Sequence, residues 1–410
     1  MDARTPRPLR TAFAGMAMLA LGLGIGRFLL TPMMPLMQAD AGLSLSGGSW
    51  LASINLAGYL AGALWCVFVP MPPGRAIRIG LAAVVVSTLG MGLTHGVPAW
   101  LGWRLLGGLA SAGLTVHGIS WGMLGLRASG RESLEGVLFS GTGVGMAGSG
   151  VLVAALEPLG TTSHALWLAF GALCVPVAAL AWRAVAVTAP APAPAPTPDA
   201  TRPPSGPAWT LALAYALIGF AYTVPATFLP IIAMDQLHLP ALRDWFWPIY
   251  GGAIVAATLA MPLLPARWDN RVLLAWGCAS MLVGMVLCVA WPTVAGLCIG
   301  TVLIGAMTMP LVVLVMREAR LLAPANPTRL IAVLTTMIGT GQMIGPPVAA
   351  WLAQRSHGFS TPMLAAAGAA GLAMVVMLWR RVHVVPADAP RAALPDRRNR
   401  HRAHAGCGCG

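Results

Sequence analysis

Two arginines lie where hydrocarbon is expected to surround them. Arg27 falls well inside an apolar run that starts near Leu9, and Arg104 falls one to two turns into another that starts near Pro98. An ionised side chain at bilayer depth costs from about 2.5 kcal/mol upward, so each needs a partner or a water-filled cavity. No Asp or Glu lies at comparable depth in the amino-terminal half: Glu132 and Glu135 border a loop, and Glu157 closes the fifth run. A carboxylate or other anionic group on a bound solute would supply the missing counter-charge, and a planar guanidinium suits bidentate recognition of such a group. The competing use for these arginines is to cap backbone carbonyls or to pair with Glu157.

Other polar residues share faces with them at helical spacing. Asn55 and Tyr59 are one turn apart, as are Gly24, Arg27 and Thr31; Tyr215, Gly219 and Tyr222 form a stripe in the second half, and Thr335 and Gln342 another. Arg27, Asn55, Tyr59, Arg104, Tyr222 and Gln342 are therefore the candidates for contact with a solute, against the competing role of interhelical hydrogen bonding. His117 and Glu157 are the candidates for carrying a coupling proton, although a lone membrane histidine is more often a packing partner. His117 shares its face with Trp121 and points well away from Arg104 at 100° per residue. No well-buried carboxylate is evident. Gly141, Gly145 and Gly148 give one smooth side to the fifth run, and Gly345 and Pro346 mark a bend in the eleventh.

The elements that must position these residues are membrane helices. The 410 residues are 57% hydrophobic and 9% charged, where soluble chains carry roughly a quarter charged residues. Apolar runs of about 20 residues recur throughout, each long enough to cross the bilayer core. Twelve are expected: Leu9–Met37, Gly48–Val69, Ala76–Leu93, Pro98–Leu124, Gly136–Leu156, Ala165–Trp182, Trp209–Ile232, Trp245–Leu264, Val272–Ala290, Val294–Met316, Leu330–Ala353 and Pro362–Trp379. Arginines crowd every second connection, whereas the alternate connections hold only Arg243 and Arg355. By the positive-inside rule both termini face the cytoplasm, which itself requires an even number of spans.

The two halves repeat at an offset of about 195 residues. Gly24, Arg27 and Pro35 fall on Gly219, Tyr222 and Pro230, and Trp50, Ile54 and Leu64 fall on Trp245, Ile249 and Leu259. Gly141-Thr142-Gly143 and Gly339-Thr340-Gly341 match at a slightly larger offset. A parallel duplication follows, with a six-helix bundle over residues 1–183, an Ala/Pro-rich linker over 184–207, a second bundle over 208–383 and a basic tail, expected to be disordered, over 384–410.

Several functions are disfavoured. The formal charge of +13 sits in loops and tails and makes no basic face for nucleic acid. The chain contains no lysine, hence no P-loop lysine to hold a nucleotide phosphate. Five cysteines lie in apolar runs as small hydrophobes, and His401, His404, Cys407 and Cys409 in the tail match no standard zinc spacing, so neither metal nor cofactor is called for. A membrane enzyme would need a nucleophile, metal cluster or acid pair at depth, and a sensor would need an attached signalling domain.

The whole chain resembles the major facilitator superfamily, in particular its YbfB/YjiJ-type bacterial branch. Gly24-Ile25-Gly26-Arg27-Phe28 with Thr31-Pro32 and Pro35 resembles that branch's first-span signature. Ala226-Thr227-Phe228-Leu229-Pro230 and Gly341-Gln342-Met343-Ile344-Gly345-Pro346 resemble its seventh and eleventh spans, and Arg104 with Gly108 resembles the superfamily's fourth-span pattern. The loop after the second span keeps Gly74, Arg75 and Arg78 but lacks the usual acidic residue. The resemblance implies two six-helix bundles, related by a pseudo-twofold, rocking around a central site. The expected function is secondary transport of a small anionic solute by a monomer in the bacterial inner membrane, with His117 and Glu157 as the candidates for a coupling proton and efflux of drug-like or metabolite compounds as the alternative.

Overall fold

The computed structural model describes residues 8–69, 71–187, 206–237, 245–263, 268–322 and 327–383; most of the expected linker and all of the tail lie outside them. The described residues form twelve helical spans and no strand. They run Pro8–Asp40, Leu45–Phe68, Pro73–Leu93, Val97–Ala128, Glu135–Leu156, Ser163–Val187, Gly206–Leu237, Phe246–Ala260, Asn270–Ala290, Val294–Leu322, Pro327–Ser356 and Ser360–His383. Eight are long and apolar enough to cross hydrocarbon by composition alone. The second, fourth and eleventh fall outside that set, as does the eighth, a shorter apolar helix over Phe246–Ala260. Large apolar side chains such as Trp65, Phe68, Leu180, Trp276 and Trp379 remain exposed around the outside, as lipid requires.

The first span, expected unbroken, is interrupted. Pro8–Leu19 is α-helical, Ala20–Ile25 is a π-helix, and a turn leads into Leu30–Asp40. The wider ladder is visible in the bonds from Gly26 N to Leu21 O (2.8 Å) and Phe28 N to Leu23 O (3.1 Å). Pro32 has no N–H for the Phe28 carbonyl, and Thr31 N takes that carbonyl instead, at 3.1 Å. The interruption coincides with very close contact to the fifth span. A side chain at Gly141 would meet the Met16 carbonyl at 2.1 Å, and one at Gly145 would meet the Ala20 carbonyl at 2.5 Å. Gly148, grouped with them by spacing, has open space beside it.

Helix pairing repeats between the halves. Spans 2 and 4, 3 and 4, 3 and 6, and 1 and 5 are neighbours, and so are 8 and 10, 9 and 10, 9 and 12, and 7 and 11. The bundles meet along two seams, span 2 with 11 and span 5 with 8, which exchange under the duplication. Gly251 of the eighth span approaches the backbone of Gly143 and Ala147, so the second seam is backbone against backbone. Spans 1 and 7 meet between the seams. There Arg27 bonds Tyr222, and Thr31 Oγ1 donates to the Ala226 carbonyl at 2.6 Å; both partners are 195 residues apart. Residues that correspond by duplication touch each other only where a twofold axis passes between them.

Candidate solute site at the bundle interface

Arg27 emerges from the interrupted part of the first span and is 7% exposed. Its guanidinium lies over two rings, with Cζ 4.6 Å from the Tyr59 centroid and 4.9 Å from that of Phe28. Nη2 donates to the Tyr222 hydroxyl at 3.1 Å and to Gln342 Oε1, and Gln342 Nε2 donates to the same Tyr222 hydroxyl at 2.6 Å. Spans 1, 2, 7 and 11 thus converge on one cation. The phenol oxygen accepts from both neighbours, which leaves its proton for an acceptor outside the trio.

All of these partners are neutral. Cation–π contacts contribute about 0.5–2 kcal/mol each and hydrogen bonds to a charged group about 1.5–3 kcal/mol, enough to hold Arg27 at depth without cancelling its charge. No Asp or Glu makes an ion pair with Arg27 or Arg104 among the described residues. Arg27 Nε is buried with no hydrogen-bond partner. So is the indole Nε1 of Trp247, whose ring lies 6.3 Å from Phe28 and stacks on Tyr250 at 5.5 Å. Two of the unspent groups here, Arg27 Nε and Trp247 Nε1, are donors that suit acceptor atoms on a ligand, and behind them the acceptor Asn55 Oδ1 is also buried without a partner.

Arg104 meets backbone carbonyls instead of rings and amides. Its Nη2 donates to the Arg27 carbonyl at 2.6 Å, Nη1 to the Gly26 carbonyl at 3.4 Å and Nε to the Leu51 carbonyl at 3.5 Å. Asn55 Nδ2 donates to the Gly26 carbonyl at 3.1 Å and to the Arg104 carbonyl at 2.8 Å. Both side chains hold backbone where the first helix changes its ladder, and so fix the direction in which Arg27 leaves it. Gly108 permits this: a side chain there would overlap the Asn55 carbonyl at 2.0 Å.

The remaining sequence candidates lie elsewhere. His117 lines a groove of about 450 Å³ between spans 2, 3 and 4, with Trp65, Cys66 and Gly113. A counterpart of about 530 Å³ lies between spans 8, 9 and 10, where Leu314 and Pro310 line the wall. Glu157 sits in a 3-10 turn after the fifth span, twelve residues beyond the Gly145 that meets Gly24, hence roughly 18 Å further along the helix. The structure brings neither to Arg27. Gly345 makes ordinary contact with Thr223, and the eleventh helix continues through Pro346 to Ser356.

Two features escaped the sequence reading. The aromatic wall of Phe28, Trp247 and Tyr250 carried no signal beyond apolar composition. A buried carboxylate does exist: Glu318 is 5% exposed, accepting from Arg271 Nε at 2.8 Å and Asn270 Nδ2 at 2.9 Å. It joins the start of the ninth span to the end of the tenth. Its place between Arg317 and Arg320 made it look like loop charge; the signal available was the basic residue at Arg271 on the neighbouring helix end.

A family model described as "Uncharacterised MFS-type transporter YbfB" matches residues 19–378. The chain belongs to that family. No curated protein sequence matches this MFS-type transporter. Its fold is shared with solved structures at low identity. The nucleoside transporter NupG (D323A mutant) gives a TM-score of 0.70 at 13% identity, over 91% of this chain and 99% of that one. The human organic anion transporter MFSD10 (TETRAN) gives 0.62 at 15%, over 91% and 100%. A bacterial homologue of the human lysosomal transporter Spinster, inward-facing and unoccupied, gives 0.61 at 14%, over 92% and 95%. The protein is a multi-pass membrane transporter of the all-α MFS fold, with small molecules as the family's cargo.

Proposed function

We propose that this transporter moves a small anionic organic solute by alternating access, without ATP hydrolysis, and that Arg27 is the group that recognises it. The observation that carries this reading is a buried guanidinium on the pseudo-twofold axis whose partners are all uncharged and whose Nε has none. Tyr222, Gln342 and Tyr59 orient the guanidinium and offer contacts of their own, while Arg104 and Asn55 act as positioning residues behind it. One solved relative in fold carries organic anions by its printed name, which agrees with the chemistry without deciding it. Alternating access is supported by the glycine-lined seam of spans 5 and 8, where Gly143, Gly150 and Gly251 let the two helices approach closely. The arginine-rich alternate connections support an inner-membrane setting with both termini cytoplasmic.

The test is a thermal-stability screen of the purified protein against organic acids, amino acids and organic cations, followed by flux in proteoliposomes. A ligand of the folded state raises apparent stability by mass action. Stabilisation by organic acids that vanishes in Arg27→Gln, together with loss of their flux, is the expected result. Undiminished flux of every stabilising acid in Arg27→Gln would overturn the proposal.

A further inference from the structure

At the end of the molecule away from the termini, the turn after the third span carries His95, and the sixth span begins with His164 beside Ser163. His95 Nδ1 and His164 Nε2 are 3.1 Å apart, with ring centroids 4.3 Å apart and planes inclined by 50°. A straight N–H···N bond between imidazoles keeps the ring centres more than about 5 Å apart, since both nitrogens then lie on the line between them. These rings instead lean side by side. Two nitrogens at 3.1 Å subtend roughly 95° at an ion about 2.1 Å from each, close to the angle between adjacent ligands of a square-planar or octahedral transition metal.

A second observation fixes which nitrogen offers its lone pair. His164 Nδ1 lies 3.3 Å from the Gly92 carbonyl, which can only accept, so in the neutral ring Nδ1 is the donor and Nε2, facing His95, is the nitrogen with the lone pair. A histidine that gives its other N–H to a backbone carbonyl is oriented as metal-bound histidines are. The backbone on both sides is pinned as well. Trp100 Nε1 donates to the Thr94 carbonyl at 3.0 Å, and Trp103 Nε1 donates to Thr94 Oγ1 at 3.1 Å. Across the gap, Asp40 accepts from the Ser163 amide at 2.5 Å and from its hydroxyl at 2.7 Å.

We infer that His95 and His164 form a bidentate site for a transition-metal dication of the kind imidazole favours, Zn2+, Cu2+ or Ni2+. The pair stands at the solvent-exposed rim, so water completes the coordination, and Asp40 is already committed to Ser163. A bound ion ties the turn between spans 3 and 4 to the start of span 6. Both ligands belong to the amino-terminal bundle, so the ion stiffens that bundle's rim and leaves the seams between bundles free.

The test uses the full chain carrying His401→Ala, His404→Ala, Cys407→Ser and Cys409→Ser, so that the tail cannot compete for metal. Thermal unfolding is followed against Zn2+ concentration, and the electron spin resonance spectrum of bound Cu2+ reports the number of coordinated imidazole nitrogens. Expected are a rise in unfolding midpoint with Zn2+, an apparent Kd at least tenfold weaker in His95→Gln and in His164→Gln, and a two-nitrogen Cu2+ spectrum. Midpoints unmoved by Zn2+, or a metal response retained in either variant, overturn the assignment. So does a parent Cu2+ spectrum with fewer than two imidazole nitrogens, a readout that stands even if a variant does not fold.

Discussion

Replacing Gln342 by Glu would put a carboxylate where an amide oxygen already accepts from Arg27 Nη2, with no change in side-chain length. The displaced Nε2 donor would not leave Tyr222 unsatisfied, because the phenol can turn its own proton toward the new carboxylate. The protein would then carry its own counter-ion at the place proposed for the solute's charge. At about 4 Å and an effective dielectric of about 20, two unit charges interact by roughly 4 kcal/mol. An anionic solute that relies on Arg27 would lose up to that much, or about a thousandfold in affinity, since about 1.4 kcal/mol is tenfold. Water in an open cavity screens part of it, and a tenfold loss is the floor expected. The assay is equilibrium binding of the organic acid that most stabilises the parent, with the unfolding midpoint of unliganded Gln342→Glu as a control. That midpoint should hold or rise as the buried charge gains a partner. Binding within threefold of the parent, in a variant that keeps its midpoint, would refute the idea that the guanidinium recognises an anion.

Tyr222→Phe removes the oxygen that accepts from both Arg27 and Gln342; leaving those donors unmet should cost about 1–3 kcal/mol, read as a lower midpoint and weaker acid binding. Asn55→Ala should destabilise by a similar amount, and should lower flux more than its loss of stability explains, because the carbonyls that set Arg27's direction lose a donor. Gly141→Ala would drive a methyl to 2.1 Å from the Met16 carbonyl and should cut the yield of monodisperse protein, while Gly148→Ala, with open space beside it, should leave size-exclusion profiles unchanged. Glu318→Gln leaves Arg271 facing an amide; with Arg271's side chain 27% exposed, about 1–2 kcal/mol is expected, and a double-mutant cycle with Arg271→Gln should return most of it as coupling.

The twelve spans were legible because solvent decides them: nothing but lipid accommodates so many apolar runs, and their ends moved by only a few residues. The axis was legible too, since sliding the halves paired Arg27 with Tyr222 before any contact was visible. Local sequence could not show that the first helix is interrupted. Nothing in the spacing of Gly22, Gly24 and Gly26 marks a change of ladder, and the π-helix becomes apparent only with the fifth span pressed against it. Arg27 and Arg104 carry the same charge at similar depth, and spacing alone cannot say which meets freed carbonyls and which meets rings and amides. Glu318 was hidden for a related reason: at a helix end, a carboxylate among arginines is solvated or buried according to what the next helix presents.

A pair of identical half-length chains, assembled about the same axis, would bring two copies of one side chain together wherever Arg27 now meets Tyr222. Two guanidiniums there would repel, and two phenols would offer no charge. A single polypeptide, whose halves are free to diverge, can set one cation beside one phenol at the point of symmetry. The lopsidedness at the centre of this otherwise mirrored architecture is therefore a benefit of covalent fusion that no homodimer could share.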